Sequence, residues 1–301
     1  MQFPSLQPGF PPQVFLIGAQ KAGTTFLANL LGMQPGVCVA SPKEPDFFTR
    51  HRECGLDWYR ERFAEPEGRL LVDASTSYSA APLCADAVSG SVTPSRYAGV
   101  PEALHVLAPA ARFIYLVRNP AARVHSAYWH DVRAGNEALP IERALVAESV
   151  YLRSTDYLGQ LRLYLAYFPL DAFLILRFED LVRAPLQTLR QVCRFLGLPL
   201  PSSLPPEPGR NSSFVYRGPL GARNRRLDGG LGRAFKRVRP WLPRRLIESA
   251  GSLLTRRVPP LDAALREQLL TQFAPMAAEF AALTGVFIDP WQPAPPPTPP
   301  V

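Results

Sequence analysis

Residues 18–25 combine glycines, hydroxyls and a single lysine in a spacing that suits anion binding. Gly18 and Gly23 lie on either side of Lys21, and apolar stretches precede and follow the segment. A glycine turn between a strand and a helix lets successive backbone N–H groups point inward, and the helix N-terminus adds a positive dipole end. The pattern therefore predicts a loop that binds a phosphate-like or sulfate-like anion.

The position of the lysine separates this loop from the nucleoside-triphosphate pattern GxxxxGK[ST]. Thr25 has the expected spacing, but Thr24 stands where that pattern has its lysine, and Lys21 lies earlier in the loop. A lysine after the second glycine reaches the β- and γ-phosphates of ATP, whereas one in mid-loop lies over a shorter anion, at the group transferred from a 5′-phosphate. A magnesium-dependent kinase or NTPase remains an alternative, with Asp73 and Thr25 at the metal.

A charged pair follows the second predicted strand, residues 36–40. Lys43 and Glu44 lie between Pro42 and Pro45, which hold them out of regular structure. The carboxyl ends of strands in open α/β sheets are where such folds carry their ligands. The pair is therefore a candidate for the site, and a surface turn is the other interpretation.

Arg118 follows the strongest predicted strand, residues 112–117. A cap at Asn119 and a proline at position 120 then start a helix, and Ser126 lies about two turns into it. One anion in the crevice at this strand end can contact both Arg118 and Ser126. An ion-paired arginine and an ordinary helix serine are the alternative.

Strands alternate with helices over residues 13–197, which predicts a parallel sheet with helices on both faces. We predict an N-terminal extension at 1–12, one domain at 13–290 and a proline-rich disordered tail at 291–301. The last helix of the domain is predicted to be kinked or broken near Pro275.

The chain of 301 residues carries a net charge of +8, which favours anionic partners. Much of this charge lies in residues 217–257, whose only acidic residues are Asp228 and Glu248. Apolar residues recur there at helical spacing, so we predict a basic helical insert that packs on the domain or contacts an anionic membrane surface. A non-catalytic module that binds anions or membranes is therefore a third interpretation.

No apolar stretch is long enough for a membrane span, and the N-terminus does not read as a signal peptide. The four cysteines form no CxxC pair, which predicts buried free thiols, a reducing compartment and a cytoplasmic protein. We expect no metal site, because neither the cysteines nor the histidines have a ligand spacing. The histidines are predicted to be structural or solvent-facing: His51, His105, His125 and His130.

The glycine loop, the Lys43–Glu44 pair and Arg118 with Ser126 together resemble the sulfotransferases that use 3′-phosphoadenosine 5′-phosphosulfate (PAPS). The resemblance is greatest to the branch of the heparan-sulfate sulfotransferases and their bacterial relatives, and it covers about residues 13–290. It implies a P-loop-type parallel β-sheet flanked by helices in three α/β/α layers, with a helical C-terminal extension.

The resemblance also implies roles for particular residues. Lys21 and Glu44 match catalytic residues, Glu44 as the base, and Arg118 and Ser126 match the residues that hold the 3′-phosphate of PAPS. Arg210 and Asn211 fall in the segment that closes over the cofactor. The residues that match the loop for the 5′-phosphosulfate are Gly18, Gln20, Lys21, Ala22, Gly23, Thr24 and Thr25.

The implied acceptor presents a hydroxyl or an amine and is a carbohydrate or a small metabolite, with a lipid or lipid-linked molecule and a peptide tyrosine as further alternatives. It is not a nucleic acid. One departure bears on the acceptor. Some heparan-type relatives have a lysine followed by Ser/Thr-Pro before a tyrosine, whereas this chain has Ala74 and residues 75–77 before Tyr78. The departure removes a second active-site cation.

Overall fold

The structure is a computed structural model of the chain. It describes residues 6, 8–81, 96–146, 149–204, 214–216 and 255–288, with the backbone alone given for 214–216 and 255–256. The predicted tail, Arg210, Asn211 and most of the basic stretch lie outside the described residues.

Five parallel strands form the central sheet in the order β2-β3-β1-β4-β5. Every residue of β1 and of β4 is buried, as expected of parallel strands with both faces covered. The strand order changes direction between β1 and β4, so their carboxyl ends border the crevice in which open α/β sheets bind ligands. The strands are β1 (Val14–Gly18), β2 (Val37–Val39), β3 (Leu70–Asp73), β4 (Arg112–Val117) and β5 (Phe173–Arg177).

Helices flank this sheet, and the fold class predicted from the sequence is confirmed. They are α1 (Thr24–Gly32), α2 (Gly55–Arg60), α3 (Val100–Leu107), α4 (Pro120–Ala134), α5 (Ile141–Ala144), α6 (Val150–Arg153), α7 (Tyr157–Leu165), α8 (Phe178–Arg183), α9 (Pro185–Leu196) and α10 (Ala263–Thr284). Short helical turns occupy Phe47–His51, Arg52–Cys54, Thr76–Ser79 and Leu170–Ala172. No helix in the described ranges has the length and apolar character needed to cross a bilayer.

The helix that carries Ser126 begins as the sequence predicts. The Asn119 side chain accepts a hydrogen bond of 3.1 Å from the Ala122 N–H, and Pro120 occupies the first turn, where its missing N–H costs nothing. The Asn119 N–H in turn donates to Glu179 Oε1 at 3.0 Å, which ties the start of α4 to α8. The end of β4 therefore has a fixed exit direction, and Arg118 is placed at it.

Of the kink or break predicted near Pro275, the break is absent, because the last helix, α10, runs through that residue. Two further local predictions need correction. Residues Thr255–Arg257 form a strand, β7, which pairs antiparallel with β6 (Phe214–Tyr216), so the end of the basic stretch is not helical. Cys54 is exposed rather than buried, because it lies in the turn before α2, whereas Cys38 and Cys193 are buried; all three thiols are free.

Candidate active site

A cavity of about 370 Å³ lies where the loop after β1, the end of β4 and one face of α4 meet the segment before α10. Four cationic side chains line it: Lys21, Arg118, Arg133 and Arg266. Ser126 supplies a hydroxyl to the same wall. The structure thus brings Lys21, Arg118 and Ser126 to one cationic cavity, at the crevice where an anion was predicted.

Packing explains the two glycines of the loop. Gly18 has φ +150°, and a Cβ there would lie 2.1 Å from the Ser79 hydroxyl oxygen. Gly23 has φ +87°, and its Cβ would approach a ring carbon of Phe178 to 2.9 Å. A side chain at either position would require neighbours to move, in addition to the strain of a positive φ. The loop is therefore in close contact with elements that follow it in the chain.

Two arginines hold the loop from outside. Arg118 Nη1 donates to the Lys21 carbonyl at 2.9 Å, and Arg123 Nε donates to the Gln20 carbonyl at 3.0 Å. Arg123 is fully buried and also donates to the Tyr151 carbonyl and the Thr155 hydroxyl. Since N–H and C=O point in opposite directions in a trans peptide, Arg123 directs the Lys21 N–H away from itself. The arginines therefore shape the loop as well as adding positive charge.

The Lys21 ammonium lies in an unusually cationic environment. Burial and then the nearby charges of Arg133, Arg118 and Arg123 lower the pKa of Lys21 to about 8. Each of these effects disfavours the protonated form, and a bound anion would oppose all of them. The site thus favours an anion at Lys21 on electrostatic grounds.

The other loop residues differ in their exposure. Gln20 and Thr25 are exposed, whereas Ala22 and Thr24 are buried. Thr24 Oγ1 lies 3.4 Å from the ammonium of Lys43, so the start of α1 is adjacent to the charged pair that follows β2.

Glu44 is half-buried and is held at both carboxylate oxygens. Oε1 lies 2.6 Å from Lys43 Nζ. Oε2 accepts hydrogen bonds from the Thr76 hydroxyl at 2.8 Å and the Thr76 N–H at 3.4 Å. The carboxylate therefore has a fixed orientation. Its negative charge also acts to raise the pKa of His130, on the wall of the cavity, against the larger effects that lower it.

Two of the histidines predicted to be structural or solvent-facing, His125 and His130, line the cavity. His125 Nε2 accepts from the Trp129 indole N–H at 2.9 Å, and its ring also bonds the Pro259 backbone. His130 Nδ1 lies 3.0 Å from Arg133 Nη2, and because arginine only donates, the neutral His130 ring carries its proton on Nε2. Burial, and then Lys21 and Arg133, lower the pKa of His130. The i, i+4 spacing of Ser126 and His130 places both side chains on one face of α4. That spacing is the sequence signal that could have identified His130 as a residue of the cavity.

Asp73 cannot serve the kinase alternative in this structure. Its side chain is fully buried, with one oxygen accepting from the Tyr59 and Tyr78 hydroxyls at 2.6 and 2.8 Å and the other from the Ser75 N–H at 2.9 Å. Burial raises the pKa of Asp73 to about 6 despite these donors. Asp73 pairs in register with Phe15, three residues and roughly 10 Å before the loop. Its carboxylate therefore belongs to the core.

Comparison with known proteins supplies a family for this site. A model of the Sulfotransferase family matches residues 12–202. The chain belongs to the Sulfotransferase family. The family prediction made from the sequence is confirmed, and the matched residues include the loop, Glu44, Arg118 and Ser126.

Relatives in the Sulfotransferase family include enzymes named for heparan sulfate. Human heparan sulfate glucosamine 3-O-sulfotransferase 6 is 32% identical over 197 residues, which are 62% of this chain and 52% of that protein. Human bifunctional heparan sulfate N-deacetylase/N-sulfotransferase 2 is 27% identical over 211 residues, 62% of this chain and 22% of that protein. The chain therefore spans about half the length of the first relative and less of the second.

A solved structure matches most of the chain. The crystal structure of a sulfotransferase from Alicyclobacillus acidocaldarius superposes with a TM-score of 0.63 at 21% identity, and covers 91% of this chain and 96% of its own. The match shows that the chain has the sulfotransferase fold.

Proposed function

We propose that the protein transfers the sulfuryl group of PAPS to a hydroxyl or an amine of an acceptor. The observation that carries this proposal is the cationic cavity, in which Lys21 from the loop and Arg118 and Ser126 from the end of β4 and from α4 share one wall. Membership of the Sulfotransferase family indicates that the reaction at this cavity is sulfuryl transfer.

The chemistry of the donor set fits PAPS, which has anionic groups at both ends. Arginine forms charge-assisted hydrogen bonds to phosphate oxygens, and a serine hydroxyl adds a donor. Arg118 and Ser126 would hold the 3′-phosphate, and Lys21 with residues 18–25 would hold the 5′-phosphosulfate. When bound, PAPS supplies an activated sulfuryl group on a phosphate leaving group. Arg210 and Asn211, outside the described residues, remain proposed contacts on the segment that closes over the nucleotide.

The remaining chemistry depends on two residues of the chain. Glu44 is the base, and Lys21 is the electrostatic stabiliser. Glu44 accepts the proton that the acceptor loses while its oxygen or nitrogen forms a bond to sulfur. The bond from sulfur to the phosphate oxygen breaks in line, and its electron pair stays on that oxygen. Lys21 and the N–H groups of the loop stabilise the charge that develops there. Because a sulfuryl group carries less charge than a terminal phosphoryl, we propose that no metal is required.

We propose a glycan as the first acceptor to test, because the relatives are named for heparan sulfate. A small metabolite is the second candidate, and nucleic acid is not expected. A screen with desulfated glycosaminoglycan oligosaccharides beside small alcohols and amines separates the two. Peripheral contact of the basic stretch 217–257 with anionic membranes, in the cytoplasm, is a further proposal that liposome sedimentation tests.

The direct test of nucleotide choice is a thermal shift without metal. Adenosine 3′,5′-bisphosphate, the product nucleotide, should raise the melting temperature in the presence of a chelator, because Arg118 would bind its 3′-phosphate and Lys21 its 5′-phosphate. A ligand at 100 times its dissociation constant stabilises by about 2.7 kcal/mol. ATP with magnesium should have little effect. Equal shifts with both nucleotides, or a shift that required magnesium, would contradict the proposal.

The lowered pKa of Lys21 predicts how affinity depends on pH. In the free protein Lys21 loses its proton near pH 8, whereas in the complex the bound phosphate keeps Lys21 protonated. Binding above pH 8 is therefore accompanied by uptake of a proton. The affinity for the bisphosphate should therefore fall about tenfold between pH 7 and pH 9. Calorimetry at the two pH values checks this.

Lys21→Arg is the matched control, because a guanidinium stays charged throughout this range. It should flatten the pH dependence even if its affinity at pH 7 is lower. An equally steep dependence in Lys21→Arg would assign the proton to another group.

A further inference from the structure

Asn119, the residue that caps α4, has one polar group that the cap does not use. Its Oδ1 accepts from the Ala122 N–H at 3.1 Å, its carbonyl accepts from the Arg123 N–H at 2.9 Å, and its own N–H donates to Glu179 Oε1 at 3.0 Å. The Nδ2 atom has no hydrogen-bond partner among the described residues. Because the Ala122 N–H requires an oxygen opposite it, the cap fixes which side-chain atom is the nitrogen.

The unpaired amide is buried, and the helix start does not require it. Asn119 is only 3% exposed, and a buried donor without an acceptor costs free energy. Aspartate or serine would cap a helix about as well and would leave no such donor. Of the described residues that carry a buried side-chain atom without a partner, Asn119 alone lines the cationic cavity. The cavity is therefore where an acceptor for Nδ2 would bind.

The surroundings of the amide favour an anionic acceptor. Ala121 and Ala122 line the same cavity in the first turn of α4, and the N-terminus of this 15-residue helix is the positive end of its dipole. Arg118 precedes Asn119 in the chain, and Ser126 follows it by seven residues, on the same face of the helix. A nucleotide that contacts both Arg118 and Ser126 therefore passes the Asn119 side chain.

We propose that Asn119 Nδ2 donates a hydrogen bond to a phosphate oxygen of the bound nucleotide. This proposal rests on the proposed use of PAPS and adds a neutral donor to the charged ones. The 3′-phosphate is the expected acceptor, because Arg118 is assigned to it. Asn119 would then have two roles, since Oδ1 starts the helix and Nδ2 binds the ligand.

The test compares two variants that preserve the cap. Asn119→Ser keeps an oxygen for the Ala122 N–H and removes the amide, so it should weaken the bisphosphate about tenfold. The melting temperature of the nucleotide-free protein should stay the same or rise, because the unpaired donor is gone. Asn119→Asp should weaken the bisphosphate further, because a carboxylate repels the phosphate. If Asn119→Asp fails to fold beside Glu179, Asn119→Ser alone carries the test.

Asp156→Asn is the control for a change at a helix start. Asp156 caps α7 by accepting from the Gly159 N–H, and it does not line the cavity. This variant should bind the bisphosphate as the wild type does.

Three nucleotides identify the acceptor when their affinities are measured by calorimetry. With the 3′-phosphate as acceptor, Asn119→Ser weakens the bisphosphate and adenosine 3′-monophosphate and spares adenosine 5′-monophosphate. Loss confined to the bisphosphate and the 5′-monophosphate would support the proposal with the 5′-phosphate as acceptor. Either loss should be the same at pH 7 and pH 9, because an amide does not titrate, in contrast to Lys21.

Two outcomes would overturn the proposal. One is that all three affinities stay within about twofold of wild type in Asn119→Ser. The other is an equal loss for all three nucleotides, which indicates a change in the helix start and not a lost phosphate contact. Failure of the proposed function would look different, because the wild type itself would then bind no bisphosphate.

Discussion

Glu44→Gln is expected to lower the single-turnover rate of sulfuryl transfer about 100- to 10,000-fold while bisphosphate affinity stays close to that of the wild type. Glutamine keeps the size of the side chain, and its carbonyl oxygen can still accept from the Thr76 hydroxyl and N–H. It cannot accept the proton of the acceptor, so the loss falls on the chemical step. Calorimetry with the bisphosphate and rapid-quench measurement of one turnover separate the two effects.

The control for this variant is Glu61→Gln, an exposed carboxylate whose ion pair with Arg62 lies on the surface. It should leave both measurements unchanged. If Glu44→Gln also loses bisphosphate affinity, Glu44 shapes the site instead of acting as base. If turnover is retained, another base must exist, and His125 is a poor candidate because its ring is engaged by Trp129 and Pro259. His130 would be the next residue to test.

The second large effect concerns selectivity for the 3′-phosphate. Arg118→Ala should weaken the bisphosphate about 10- to 150-fold more than it weakens adenosine 5′-monophosphate, since a charge-assisted hydrogen bond contributes about 1.5 to 3 kcal/mol. The ratio of the two dissociation constants is the measurement. The ratio matters because Arg118 also donates to the Lys21 carbonyl and lies 4.4 Å from the centre of the Phe178 ring.

Ser126→Ala is the companion variant, because it removes a cavity hydroxyl without touching the loop. It should lower the same ratio by a smaller factor and leave affinity for the monophosphate intact. If Arg118→Ala weakens both nucleotides alike and Ser126→Ala weakens neither, Arg118 acts by supporting the loop. The assignment of the 3′-phosphate to this end of the cavity would then be wrong.

Local signals in the sequence were sufficient for most of the sheet. The strand at 112–117 has the predicted limits, and the helix after it begins at the predicted cap, because an apolar run, an asparagine cap and a proline act within a few residues. The family motifs likewise depend on short spacings, so the loop and Arg118 could be located without a structure.

Features that depend on contacts between distant segments could not be predicted in this way. The hydrogen bond from Lys43 Nζ to the Ala74 carbonyl joins two strand ends that only the sheet order brings together. The strand at 255–257 needs its partner at 214–216, and a basic stretch gives no sign of that pairing. His130 has no ligand spacing in the sequence, which predicts a structural or solvent-facing ring, and the charges that act on it, Lys21 and Glu44, come from other parts of the chain.

The arginines that hold the loop have an evolutionary consequence. Arg123 and Arg118 donate to the Gln20 and Lys21 carbonyls, so both guanidiniums contribute to the shape of the loop whether or not a nucleotide is bound. The contacts of Glu44, by contrast, are to Lys43 and Thr76 and not to these loop carbonyls. In a descendant that had stopped binding nucleotide, we expect Glu44 to drift first, while selection for a folded chain would retain both arginines. Arginines at these positions in a related sequence would then indicate a preserved fold, and only an accompanying glutamate would indicate preserved chemistry.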